Sequence, residues 1–79
     1  MKDMVLFQNL LFREVDDAVG TYPPINNVHE GYAIILEELE EFWAECKLKP
    51  GERNDENMRR ELVQIAAMAA RTYMDAVGR

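Results

Sequence analysis

Three observations predict an all-α fold for this chain. Apolar residues recur at three- and four-residue spacing in three segments, the mark of helices with one apolar face. No segment alternates with period two, and β-branched residues are sparse. Two loops rich in breaking residues, TYPPINN (21–27) and KPGERND (49–55), separate the segments. The expected architecture is a three-helix chain with an antiparallel helical hairpin, one domain over residues 1–79. A chain of 79 residues buries only about 60% of its unfolded surface. Such chains gain stability by association, so homo-oligomerisation is expected to complete a four-helix-type bundle.

The first helix is expected over about 3–19. Val5, Leu11, Phe12, Val15, Ala18 and Val19 share its apolar side, and Leu6, Phe7 and Leu10 widen it. Gly20 is read as its stop, and Pro23-Pro24 cannot continue a helix. The second helix is expected over about 28–48. Asn27 with Glu30 three residues on has the shape of a capping box. Tyr32, Ile35, Leu36, Leu39, Phe42, Trp43 and Cys46 form one apolar stripe, spaced like a buried face. Lys47 and Lys49 stand at its C-terminal end, where the macrodipole favours cations, and Pro50-Gly51 breaks it. The third helix is expected over about 55–77, capped by Asn54 or Asp55. Its middle, LVQIAAMAA (62–70), is apolar on most of its circumference. Such a helix is buried on several sides, which points to a subunit interface there.

Composition excludes some functions. At 48% hydrophobic residues the chain is too apolar for a disordered one. A net charge of −6 argues against nucleic acid or an anionic membrane as a partner, since both need basic patches. It leaves room for a small anionic substrate, because a bound divalent cation reverses the local sign. The single cysteine, Cys46, allows neither an intrachain disulfide nor a zinc site of several cysteines, and a reducing cytoplasm fits best. The N-terminal stretch MKDMVLFQNLLFRE is interrupted by Gln8, Asn9 and Arg13 and is not read as a signal peptide. No apolar run approaches the roughly 20 residues that span a bilayer.

The chemistry gathers in LEELEEFWAE (36–45), where Glu37, Glu38, Glu40, Glu41 and Glu45 crowd one short stretch. Like charges three or four apart on a helix repel by roughly 0.2–0.5 kcal/mol per pair. At about 100° per residue, Glu38, Glu41 and Glu45 share one stripe, with Glu37 and Glu40 further round. On the third helix Glu61, Gln64, Met68, Arg71 and Asp75 share a flank. If the two helices pack antiparallel across their short connection, Glu38 and Glu41 face Glu61 and Gln64. Several oxygens then converge. Hard divalent cations such as Mg²⁺ and Mn²⁺ prefer oxygen ligands, and helix bundles house such sites between inward Glu residues. Without a cation, crowding raises the carboxylate pKa values. The alternative is a solvated acidic face.

HEGYAIILEELEEFWAEC (29–46), followed by RRELVQIAAMAAR (59–71), resembles the MazG-like, all-α nucleoside triphosphate pyrophosphohydrolases. The family signature is Glu-x-x-Glu on one helix and Glu-x-x-Asp on the next. Here the first motif reads Glu38-x-x-Glu41, preceded by Glu37, and the second reads Glu61-x-x-Gln64. The resemblance covers residues 28–75 and extends only loosely to the first helix. It implies a helical bundle completed as a homodimer or homotetramer. It implies Mg²⁺- or Mn²⁺-dependent hydrolysis of a nucleoside triphosphate to the monophosphate and pyrophosphate, a house-cleaning activity. Glu38, Glu41 and Glu61 would then be metal ligands, and Glu37 a further ligand or the group that orients the attacking water. Gln64 departs from the pattern: it keeps a carbonyl oxygen at the fourth ligand position and loses the charge. That departure leaves open a catalytically decayed oligomerisation module on the same scaffold.

Other residues carry weaker signals. Trp43 lies on the apolar stripe and reads first as core or interface packing, with stacking on a nucleobase as the alternative. Lys47 and Arg71 are candidates for phosphate contacts, or else a helix-end cation and a surface ion pair. His29 reads as an exposed first-turn residue, Cys46 as a small buried hydrophobe, and Met58, Met68 and Met74 as core filler. No Walker-type loop or Gly-x-Ser-x-Gly motif is present in the sequence.

Overall fold

The computed structural model describes residues 2–78, which form three α-helices and one short 3₁₀ turn. Helix α1 spans Lys2–Thr21, α2 Val28–Cys46 and α3 Asp55–Asp75, with the 3₁₀ turn at Pro50–Glu52. No strand occurs among the described residues. Helices α1 and α2 each pack on α3 and not on one another. The result is an open layer measuring 44 × 28 × 22 Å with α3 in the middle.

Local chemistry sets the helix ends. Gly20 does not stop α1, which runs through Thr21. Pro23 and Pro24 end it instead, because a residue before proline is driven out of the α region. At the start of α2 the Asn27 carboxamide oxygen accepts the Glu30 backbone N–H at 2.8 Å, half of the expected capping box. The other half is missing: the Glu30 carboxylate accepts from the Asn26 side chain at 3.0 Å. Helix α2 stops at Cys46, two residues short of expectation, and no basic residue lies in its last turn. Arg53 satisfies the exposed carbonyls, donating to Cys46 O at 2.9 Å and Leu48 O at 3.1 Å. Asn54 caps α3 by accepting from Asn57 N, and its own N–H donates to the Glu45 carboxylate at 2.6 Å. That bond ties the end of α2 to the start of α3.

At the opposite end, the loop over 22–27 is pinned to α3. Ile25 is fully buried, and its N–H donates to the Asp75 carboxylate at 3.1 Å. Arg71 donates to Pro23 O at 2.7 Å. The two pinned ends make α2 and α3 an antiparallel hairpin. Helix α1 runs parallel to α3, and Glu14 meets Gln64.

The apolar middle of α3 is covered in part within the chain. Val63, Ala67 and Met68 are buried beneath α1 and α2, whereas Leu62 (44% exposed) and Ala69 remain open to solvent. Further unpartnered apolar surface lies elsewhere. The side of α2 turned to α3 runs through Gly31, Ile35, Glu38, Phe42 and Glu45, all buried or half-buried. Tyr32 (68% exposed), Leu36, Leu39 and Trp43 (58%) point outward, with Val5, Phe12 and Val19 doing so on α1. The expected stripe is therefore split: Ile35, Phe42 and Cys46 are half-buried, while its centre at Leu39 faces outward. Periodicity identifies which residues share a face, and the neighbour that covers it is a property of packing. No helix of the described residues is long and apolar enough to cross a membrane.

Candidate metal centre

Glu38 and Glu41 stand one turn apart on α2, and Glu61 stands in the second turn of α3. The antiparallel pairing brings one carboxylate oxygen from each within 4.8 Å of the others. Glu38 and Glu61 are half-buried and Glu41 is exposed, so the cluster is walled by the helix interface and opens to solvent past Glu41.

Three carboxylates this close cannot all remain charged without help. Glu38 is pushed from 4.5 up to about 7, first by burial, then by the charge and hydrogen bonding of Glu41 and Glu61. Glu61 is raised as well, by burial and then by hydrogen bonding to and the charge of Glu41. Arg60 pulls it partly back down.

The donor set suits a hard cation. Oxygen ligands at 2.0–2.6 Å from one ion lie no more than about 4–5 Å apart, and the three oxygens here fall within 4.8 Å of one another. Glu61 Oε2 is buried and has no hydrogen-bond partner. A buried acceptor without a donor is uncommon and asks for an explanation such as an ion.

The other candidate residues are placed as follows. Glu37 is exposed and lies outside the cluster, one turn before Glu41. Gln64 lies one turn beyond Glu61, but its amide nitrogen donates to Glu14 Oε1 of α1 at 2.6 Å. Trp43 lies on the outward stripe, well round the helix from Glu38, where Leu36, Leu39, Phe42 and Cys46 join it in lining a shallow apolar groove. Lys47 is the exposed C-cap of α2. Arg71 is not a surface ion pair. It is 4% exposed, held by Pro23 O and 4.0 Å from Asp75, so a phosphate cannot reach it. Glu14 went unnoticed in the sequence, because the α1–α3 register that brings it to Gln64 has no local signal.

The fold and cluster define an all-helical chain with three convergent carboxylates between two antiparallel helices. Comparison with family models, curated proteins and solved structures found no match.

Proposed function

We propose that this chain is a Mg²⁺- or Mn²⁺-dependent nucleoside triphosphate pyrophosphohydrolase of the MazG-like kind. The observation that supports the reading most is the convergence of Glu38, Glu41 and Glu61. These three carboxylates would hold the cation, with Gln64 beside them offering a neutral carbonyl. When bound, the ion neutralises phosphate charge and lowers the pKa of its water. Glu37, exposed and adjacent, is the candidate for orienting the attacking water. Lys47 remains a candidate for substrate phosphate. Hydrolysis adds the water oxygen to phosphorus and releases pyrophosphate by cleaving the α–β anhydride.

The same reading includes a homo-oligomer. The chain exposes 6079 Å², against roughly 4,900 Å² for a compact monomer of its mass. Its radius of gyration is 13.6 Å, against roughly 11.6 Å. The surplus surface is of the order of the roughly 800 Å² that each partner buries in a stable complex. The outward stripe Tyr32, Leu36, Leu39 and Trp43 is the face a second copy would cover, giving the four-helix-type bundle. Trp43 then packs at the interface.

The test is pyrophosphate release from a panel of nucleoside triphosphates with Mg²⁺ or Mn²⁺, alongside melting temperature as the metal is titrated. Saturable stabilisation and turnover are expected, and Glu38→Gln should lose both while keeping its oligomeric state. Full activity in Glu38→Gln would remove Glu38 from the ligand set. One observation favours a second reading, a non-catalytic module: Gln64 is occupied with Glu14. That reading expects no turnover and no metal-induced stabilisation.

A further inference from the structure

Helix α2 packs tightly on α3 at Gly31, which is buried. A Cβ built there would lie 2.5 Å from Thr72 Cγ2, 2.6 Å from Thr72 Oγ1 and 3.1 Å from Thr72 Cβ. Rotating Thr72 offers no relief. Both of its γ atoms crowd the position, and the hydroxyl is committed to Met68 O at 2.8 Å. A β-branched side chain in a helix also has few rotamers to choose from. Glycine is thus needed here for close packing, not for backbone conformation.

We propose that the Gly31–Thr72 contact is a positioning device that sets the gap between α2 and α3 and so brings Glu38 and Glu41 to Glu61. The proposal rests on the cation-site reading above. Its geometry is that of a hinge. The far end of the pair is held by the Asn54 N–H on the Glu45 carboxylate and by Arg53 on the carbonyls of Cys46 and Leu48. Gly31 lies two turns before Glu38 on the same side of α2, and Glu38 lies midway between the contact and the held end. Restoring ordinary contact, which begins at 3.4 Å, would part the helices by roughly 1 Å at residue 31. A rigid tilt would carry roughly half of that to Glu38, beyond the ~0.2 Å tolerance of a metal–ligand distance. Glu38 and Glu41 move with α2, whereas Glu61 stays with α3.

Gly31 and Thr72 are positioning residues and touch no reacting atom. The experiment is Mn²⁺ titration, read by electron paramagnetic resonance of free Mn²⁺, of wild type, Gly31→Ala, Thr72→Ala and Gly31→Ala/Thr72→Ala. Helicity and melting temperature are followed in parallel. Gly31→Ala should bind Mn²⁺ at least tenfold more weakly while remaining helical. The double variant, which leaves only the 3.1 Å contact with residue 72 Cβ to absorb, should regain most of the affinity. If Gly31→Ala fails to fold, the double variant decides: near-wild-type binding supports the hinge, and weak binding by a fully folded double variant overturns it. Wild-type affinity in a folded Gly31→Ala overturns the hinge and leaves the cation site standing. Absence of Mn²⁺ binding by wild type overturns both.

Discussion

Glu38 is the residue on which the cluster turns, and its proton gives a direct test. Its folded pKa of about 7 lies above the ordinary 4.5. Between those two values the folded chain holds a proton that the unfolded chain releases. Stability of the cation-free protein must therefore fall as pH rises through that window. Glu38 is partly solvated, so the effect is discounted to about 1 kcal/mol. Melting curves from pH 4.5 to 7.5 without divalent metal should show this decline, and Glu38→Gln should flatten it. Stability that rises across the window would show that the cluster is not strained by its charges. Metal binding has the opposite slope, because an ion must displace that proton.

Gln64 offers a second test, and Glu14 changes its expected result. On motif grounds alone, Gln64→Asp simply adds a ligand charge. In the structure it also removes the 2.6 Å donor to Glu14 and leaves two carboxylates in its place. A hydrogen bond to a charged group is worth about 1.5–3 kcal/mol. Without cation, Gln64→Asp should therefore melt lower than wild type, and Glu14→Gln should recover much of the loss in a double-mutant cycle. Additive effects in that cycle would mean the Glu14–Gln64 bond carries no energy in solution.

The helices are held less by their own propensity than by contacts at their ends. Arg53, outside any α-helix, serves the last carbonyl of α2 at Cys46 and that of Leu48 just beyond it. Arg53→Ala should lower stability by about 1 kcal/mol, the usual value of a solvent-facing cap or hydrogen bond, as read by denaturant midpoint. Arg53→Lys should not fully restore it, because an ammonium group cannot reproduce the guanidinium fork. Gly31 supplies a test of sign. Glycine inside a helix is about 1 kcal/mol worse than alanine, so on an open helix face Gly31→Ala would stabilise. Against Thr72 it should destabilise instead. An increase in melting temperature would mean that α2 sits farther from α3 than the structure has it.

The molecule has the shape of an unfinished bundle: α3 is covered on two sides, while α1 and α2 turn apolar stripes outward. Those stripes predict association. Leu39, 47% exposed, sits at the middle of the α2 stripe, so Leu39→Glu would place a charge at the centre of the proposed interface. Light scattering should find the wild type dimeric or larger and Leu39→Glu shifted to monomer, with helicity largely kept. A wild type that stays monomeric at high micromolar concentration would rule out the α2 stripe as an oligomer face.

Much of this was legible in the residues themselves. The three helices follow from apolar spacing, the loops from Pro23, Pro24, Pro50 and Gly51, and the α2 and α3 caps from Asn27 and Asn54. The carboxylate group of Glu38, Glu41 and Glu61 was legible too, because i, i+3 spacing and a short connection restrict where the two helices can meet. These are local properties, set by backbone geometry and side-chain chemistry within a few residues. The rotation of α2 was not local. The apolar stripe around Leu39 looked like the buried face, yet the face through Gly31 and Glu38 is the one turned to α3. Nor were the Glu14–Gln64 bond, the burial of Arg71 under Pro23 or the reach of Arg53 to Cys46 readable, since each joins residues that no local pattern relates. Sequence alone determined which helices form, where they break and which acidic residues are candidates. Packing decided which faces are buried and which oxygens meet, because close contact between distant segments depends on side-chain volumes and registers that only the assembled chain can balance.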